Sequence, residues 1–273
     1  MSPLIGACVL VKNEGAGIAE WIAYHLAIGF DTLVIYDNMS TDNTRDVVAK
    51  MSRVGDVRCL AWDRPVPCQT DAYDDALERV GAELDWMFFI DADEFVLPLS
   101  HDAIHPVMAR FPAEVAAVGF NWLHFGSSGL AEQPANTLVM EAFRRHSDLG
   151  FPPNAHIKSA VRPQRTLRSV NPHAFEVRGR YVVADGTEAR WQQVPGITAE
   201  PPVQFGAARV NHYSTKSLAQ WQAKVARGRA DLVVPRDEDE FAAFDRNERE
   251  DDHILRHAPA TRDLMAAAGC LAQ

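Results

Sequence analysis

Along the first ninety residues, short apolar runs of strand length alternate with stretches of helical period. That alternation predicts a largely parallel sheet covered by helices. Leu4 to Val11 is apolar without a break, as expected of a strand buried on both faces. After it, Ile18, Trp21, Ile22 and Leu26 fall on one face of a helix, with Gly29 placed to cap its C-terminus. Thr32 to Tyr36, Val57 to Ala61 and Trp86 to Ile90 read as further strands, and Thr44 to Met51 and Asp71 to Val80 as further helices. Ligands of open α/β sheets bind beyond the carboxyl ends of strands. Three of these strands run into polar clusters there: Lys12-Asn13-Glu14, Asp37 to Thr44, and Asp91-Ala92-Asp93-Glu94.

From about Ala117 the segments shorten and are broken by Gly, Pro and polar residues. Val118 to Trp122, Ala155 to Val161 and Ala208 to Tyr213 are predicted strands, and Ser217 to Arg229 a helix with Leu218, Trp221 and Val225 on one face. Beyond Pro235 the charge runs Arg236 to Glu240 and Arg249 to Asp252 predict a solvated helical appendage. The expected organisation is one α/β domain over residues 1–232 and a charged helical extension over 233–273.

With 37 acidic against 27 basic side chains the formal net charge is −10, which argues against a nucleic-acid binder. The four cysteines, Cys8, Cys59, Cys68 and Cys270, form no C-x-x-C pair and read as buried reduced thiols. Neither a signal peptide nor a membrane span is expected, and no P-loop pattern occurs. A cytoplasmic location follows as an expectation, with transient contact at the inner membrane face if the substrate is lipid-linked.

The sharpest chemical feature is the apolar strand Trp86 to Ile90 ending in Asp91, Asp93 and Glu94. Clustered carboxylates repel one another, and burying them is costly unless they are paired or bind a cation. A divalent metal such as Mn²⁺ or Mg²⁺ resolves the conflict, and hard cations often share their coordination shell with phosphates. In the second cluster Ser40 or Asp42 is expected to cap the following helix. A carboxylate beside them, Asp37 next to Asn38, could accept hydrogen bonds from a ribose or base, so one nucleotide could touch all three clusters.

The same residues resemble a known family. Val11-Lys12-Asn13-Glu14, Glu20-Trp21-Ile22, Ile35-Tyr36-Asp37-Asn38 and Phe89-Ile90-Asp91-Ala92-Asp93-Glu94-Phe95 look like glycosyltransferase families 2 and 92, of the GT-A fold. Trp122, Phe125-Gly126-Ser127-Ser128-Gly129, His156-x-Lys158, Arg162-Pro163 and Asn211-His212-Tyr213-x-x-Lys216-Ser217 follow in the same order. The resemblance, over roughly residues 5 to 230, implies a nucleotide-binding half fused to an acceptor half on a mixed, mostly parallel sheet. It implies a UDP-sugar donor, galactose by the family 92 likeness, with Mn²⁺ or Mg²⁺ on its diphosphate, and an inverting transfer to a glycan or lipid-linked acceptor. Lys12, Asn13, Glu14, Asp37 and Asn38 would then line the nucleoside pocket and Asp91 would approach the ribose or the metal. Asp93 and His212 would bind the metal, and Lys216 would lie near the diphosphate.

An inverting transfer needs a general base on the acceptor hydroxyl. Glu94 is the first candidate, with His124 and Asp148 behind it. Trp122 and Phe125 are expected in the core, and Gly126 to Gly129 in an acceptor-side loop. Two other readings stand beside this one: a catalytically silent protein that binds a nucleotide-sugar or glycan, and a haloacid-dehalogenase-like phosphatase, whose Asp-x-Asp-x-Thr pattern is broken here by Phe95.

Overall fold

A computed structural model describes residues 2–198, 203–228 and 240–271. The first part of the chain runs β1 (Ile5–Val11), α1 (Ile18–Ala27), β2 (Thr32–Asp37), α2 (Thr44–Met51), β3 (Asp56–Ala61), α3 (Gln69–Arg79) and β4 (Trp86–Phe89). It continues through β5 (Glu94–Pro98), α4 (Ile104–Met108), β6 (Val115–His124), α5 (Val139–Ala142), β7 (Arg145–His146) and β8 (Ile157–Val161). The remainder is β9 (Thr166–Ser169), β10 (Phe175–Val177), β11 (Arg180–Val183), β12 (Ala208–His212), α6 (Leu218–Arg227), α7 (Glu240–Phe244), β13 (Arg249–Glu250) and α8 (Ala258–Ala267).

One sheet runs β3-β2-β1-β4-β8-β6-β12-β5, with β11 also on β6. Its first four strands are mutually parallel, β8 is antiparallel to β4 and β6, β12 is parallel to β6, and β5 is antiparallel to β12. This is the mixed α/β sheet expected. Strand pleating explains the continuous apolar run of β1. Ile5, Ala7, Val9 and Val11 enter one core with residues of α1 and α2, while Cys8 and Leu10 enter a second core with Ala72, Tyr73 and Ala76 of α3. Gly29 follows α1 with φ 96°, a left-handed conformation that a glycine adopts without strain.

Several expectations need correction. The strand β5 directly after the carboxylate cluster was not foreseen, because Glu94 begins it with a buried side chain. The described part of the C-terminal segment is no solvated appendage. Ile254, Ala258, Thr261, Met265 and Ala268 are buried, and α8 lies against α1. Their spacing makes a helical seam, but small residues and surrounding charge mask it in the sequence. Asp251 anchors the segment to Arg209 of β12 at 2.8 Å, with both side chains nearly buried. The Gly126 to Gly129 loop, expected on the acceptor side, is held by this segment. Ser127 and Ser128 donate their backbone N–H groups to Asp245 Oδ1 and Asn247 Oδ1, and a Cβ on Gly126 would meet the Arg246 carbonyl at 2.4 Å. All four cysteines are free, and Cys8 and Cys68 are buried as expected, but Cys59 is exposed. Among the described residues no helix is long and apolar enough to cross a membrane.

Candidate functional site

The three polar clusters meet at one end of the sheet. Parallel pairing sets Val11 beside Asp37 and Cys8 beside Phe89, so the chain leaves β1, β2 and β4 at the same edge. The first two loops are stitched together by side chains. Asn13 N–H donates to Ser40 Oγ, Glu14 N–H to Thr44 Oγ1 and Gly15 N–H to Asp42 Oδ2, while Asn13 Oδ1 accepts from Thr41 N–H. Gly15 is required for this approach, since a Cβ there would lie 2.0 Å from Asn43 Oδ1. Asp42 also accepts from Thr44 N–H at 3.0 Å, so of the two predicted caps it is Asp42 that engages the first turn of α2.

Asp37 is buried at the end of β2, with Arg45 Nε on Oδ2 at 2.5 Å and Oδ1 buried without a partner. Arg45 itself is half exposed. Asn38 is committed elsewhere. Its amide donates to the Trp62 and Arg64 carbonyls, both at 2.8 Å, and holds the turn after β3. Lys12 is half-buried at the mouth of the first loop.

The third cluster is organised by a buried lysine. Lys158, on β8, places Nζ 2.8 Å from Asp91 Oδ2 and 3.6 Å from Glu94 Oε2, with its side chain 1% exposed. Gln69 Nε2 donates to the other Asp91 oxygen at 2.6 Å, and Trp21 Nε1 donates to the Asp91 and Glu94 carbonyls. Glu94 accepts the Asp91 N–H at 2.7 Å and is otherwise sealed in. Burial pushes its carboxyl well above the ordinary range, Asp91 and Asp93 add to that, and Lys158 opposes it. Glu94, the first candidate for general base, is thus wholly buried in this structure. A base must come within about 3 Å of the acceptor hydroxyl, whereas Glu94 is inaccessible and braces the turn that presents Asp91.

The next contact is set by long-range pairing. β12 runs antiparallel to β5 with His212 opposite Glu94, and Tyr213 N–H donates to the Asp93 carbonyl at 2.8 Å. Asp93 Oδ1 and His212 Nε2 consequently stand 3.8 Å apart. Burial pushes the His212 imidazole well below its ordinary pKa, so it is neutral. Its Nδ1 is buried without a partner and its Nε2 is too far from Asp93 for a hydrogen bond. Burial would raise the Asp93 carboxyl, but the Lys224 ammonium, with Lys216 behind it, outweighs it and holds it well below the usual range. An ionised carboxylate facing an uncommitted neutral imidazole fits a divalent cation. Among the described residues no three ligating side chains stand together, so phosphate oxygens or water would complete the shell.

His124 lies opposite His212 on β6, but it is 1% exposed and bonded through Nε2 to Ser214 Oγ at 2.8 Å. Burial lowers its pKa to about 3. Like Glu94, it is sealed in this structure. Asp148 is exposed and paired with Arg249 at 2.6 Å. Phe125 is core, as expected, and Trp122 is the hub of an aromatic cluster with His212 at 4.1 Å, His156 at 4.9 Å and His173 at 5.2 Å between ring centroids.

Lys216 has φ 50°, and its Nζ lies 3.7 Å from where a Cβ on Gly17 would stand, at the positive N-terminus of α1. Sequence reasoning missed two further cations on α6. Lys224 Nζ is 2.5 Å from Asp93 Oδ2, and Arg227 Nη1 is 2.5 Å from Glu14 Oε1. Their i, i+3 spacing marks one helix face, but nothing local says that this face lies over the strand ends. In an acidic chain, gathering Lys158, Lys216, Lys224 and Arg227 around the carboxylates of Glu14, Asp91, Asp93 and Glu94 makes a site that can bind a polyanion through a cation.

Residues 8–239 match the model of glycosyltransferase family 92. A glycosyltransferase family 92 protein of Ricinus communis is 28% identical over 257 residues, covering 86% of this chain and 39% of that protein. One of Arabidopsis thaliana is 24% identical over 240 residues, covering 83% of this chain and 38% of that protein. The chain thus spans about two fifths of the length of these curated relatives. Among solved structures, S. aureus TarS in complex with UDP overlaps 58% of this chain and 46% of its own, at 16% identity and a TM-score of 0.39. Glucosyl-3-phosphoglycerate synthase from Mycobacterium tuberculosis, in complex with Mn²⁺, UDP and glucosyl-3-phosphoglycerate, overlaps 44% of each chain at 20% identity and a TM-score of 0.33.

Proposed function

The chain belongs to glycosyltransferase family 92, and from that premise we propose that it transfers a sugar, with inversion, from a UDP-sugar to a hydroxyl of a glycan or lipid-linked acceptor. The observation that carries the reading is the pairing of ionised Asp93 with neutral His212 at 3.8 Å, ringed by cations at the carboxyl ends of the strands. These two residues would hold Mn²⁺ or Mg²⁺. When bound, the ion neutralises charge that develops on the departing diphosphate.

The chain's own groups do the rest. Lys216, beside the N-terminus of α1, adds positive potential where a phosphate would sit. Asp91, held by Lys158 and Gln69 and one-third exposed, is oriented to accept a ribose hydroxyl or to join the cation's shell. Asp37 becomes available to a nucleoside when Arg45 turns outward, and Asn13 and Asn38 keep the surrounding loops in register. On the acceptor side, half-buried His156 takes the place of the two sealed candidates. Its Nδ1 faces the Pro153 carbonyl at 3.0 Å, which assigns the proton to Nδ1 and leaves the Nε2 lone pair to receive the hydroxyl proton. Trp122, stacked on His156, links this base to His212.

The test is calorimetric titration with UDP, with and without Mn²⁺, on the wild type and on Asp93→Ala. Metal-dependent UDP binding that is lost in the variant is expected. UDP binding that is indifferent to Mn²⁺, or retained in full by Asp93→Ala, would refute the assignment of the cation to this carboxylate.

A further inference from the structure

In this structure a cation already sits on Asp93, and the protein supplies it. Lys224 Nζ lies 2.5 Å from Asp93 Oδ2 and donates to the Ser214 carbonyl at 2.9 Å. One turn on, Arg227 bonds Glu14 Oε1 at 2.5 Å and the Asn13 carbonyl at 3.1 Å. The two contacts lay α6 across the loops after β1 and β4. The helix is firmly started: Ser217 and Gln220 form a reciprocal capping box, and Trp221 is buried beneath it. Lys224 therefore reaches Asp93 from a fixed base through a long, rotatable side chain.

Resting on the donor-site reading above, we infer that Lys224 is an internal counter-ion that keeps the place of the divalent cation at Asp93 and passes to the donor's diphosphate when the cation binds. An ammonium and a divalent ion on one small carboxylate repel each other strongly. A metal arriving alone must displace Lys224 from Asp93 and brings no anion to replace that carboxylate. A metal arriving with a nucleoside diphosphate brings the anion that Lys224 then pairs with. Binding of the two is consequently cooperative, and by linkage each tightens the other by the same factor. Such an arrangement discourages occupation of the site by metal alone and favours the metal–nucleotide pair.

The experiment measures Mn²⁺ binding in the absence of nucleotide, by the electron paramagnetic resonance of the free ion, and UDP binding at saturating Mn²⁺ by calorimetry. Both are run on the wild type, Lys224→Met and Lys224→Gln, with far-ultraviolet circular dichroism to verify folding of each. Removing the ammonium is expected to tighten Mn²⁺ binding alone by about tenfold and to weaken UDP binding at saturating Mn²⁺ by about tenfold, within the usual range of coupling between sites. Opposite signs in the two titrations are the signature, because damage to the site would weaken both. Unchanged or weaker Mn²⁺ binding in both variants, with the wild type still binding UDP in the presence of Mn²⁺, overturns the inference and leaves the donor site standing. A wild type that binds neither overturns the donor-site reading itself.

Discussion

Replacing Lys158 by Met tests whether the carboxylate cluster is organised from below. The ammonium is 2.8 Å from Asp91 and 3.6 Å from Glu94, and Glu94 is wholly buried with Oε1 already lacking a partner. Lys158→Met keeps the length of the side chain and removes its charge. Breaking a buried pair from one side costs about 3–5 kcal/mol, because here Asp91 loses the counter-ion beneath it. At about 2–4 °C per kcal/mol for a chain somewhat smaller than this one, the melting temperature should fall by roughly 6–20 °C. The mechanism also predicts a rescue. In Lys158→Met/Asp91→Asn the carboxylate nearest the lost ammonium is gone and the amide oxygen can still accept from Gln69, so about half of the loss should return. Scanning calorimetry with urea titration at pH 7.5 measures both. A single variant within about 1 kcal/mol of the wild type would refute the reasoning, and so would a double variant no more stable than the single one.

Other outcomes follow from the same geometry. His212→Ala should weaken Mn²⁺ and UDP binding together by about tenfold, or about 1.4 kcal/mol; a change in acceptor affinity alone would move His212 to the acceptor side. His156→Ala should lower kcat by about a hundredfold or more while UDP binding at saturating Mn²⁺ stays unchanged, and an unaltered kcat would remove it as the base. Stability should fall on acidification below about pH 6.5. Burial lowers His25, His124 and His173 to about 3 and His257 to about 4. A histidine with a lowered folded value contributes stability that is full above its unfolded value and lost as pH falls below it. For His25 alone this is about 2 kcal/mol between pH 6.5 and 5. Glu20, raised by burial to about 7, and Glu94, also raised, act in the opposite direction but are fewer. A urea midpoint that rises from pH 7 to pH 5 would contradict this balance.

How far the sequence reaches is clearest from two neighbouring stretches. β1, α1, β2 and α2 could be read nearly to the residue, because each buries a face whose period is written in consecutive side chains. The three polar strand ends were legible for the same reason, since parallel strands joined by helices must bring their carboxyl ends to one edge. Glu94 and His124 could be recognised as site residues but not as sealed ones, because accessibility is decided by what packs above them. The burial of both depends on β8, Ser214 and the strand pairing around them. The C-terminal segment failed differently: its seam of Ile254, Ala258, Thr261, Met265 and Ala268 has little hydrophobic contrast, and burial there is visible only once α1 lies opposite.

The sequence by itself determined the α/β class, the sheet edge at which the three polar clusters meet, and the acidic groups available there. These rest on local periodicity and on the chemistry of side-chain types, which need no distant partner. Tertiary structure alone decided that Lys158 lies beneath Asp91, that His212 meets Asp93, and that Lys224 occupies the carboxylate. Those pairs are separated by 67, 119 and 131 residues. Their contact is fixed by sheet register and helix docking, to which residues all along the chain contribute.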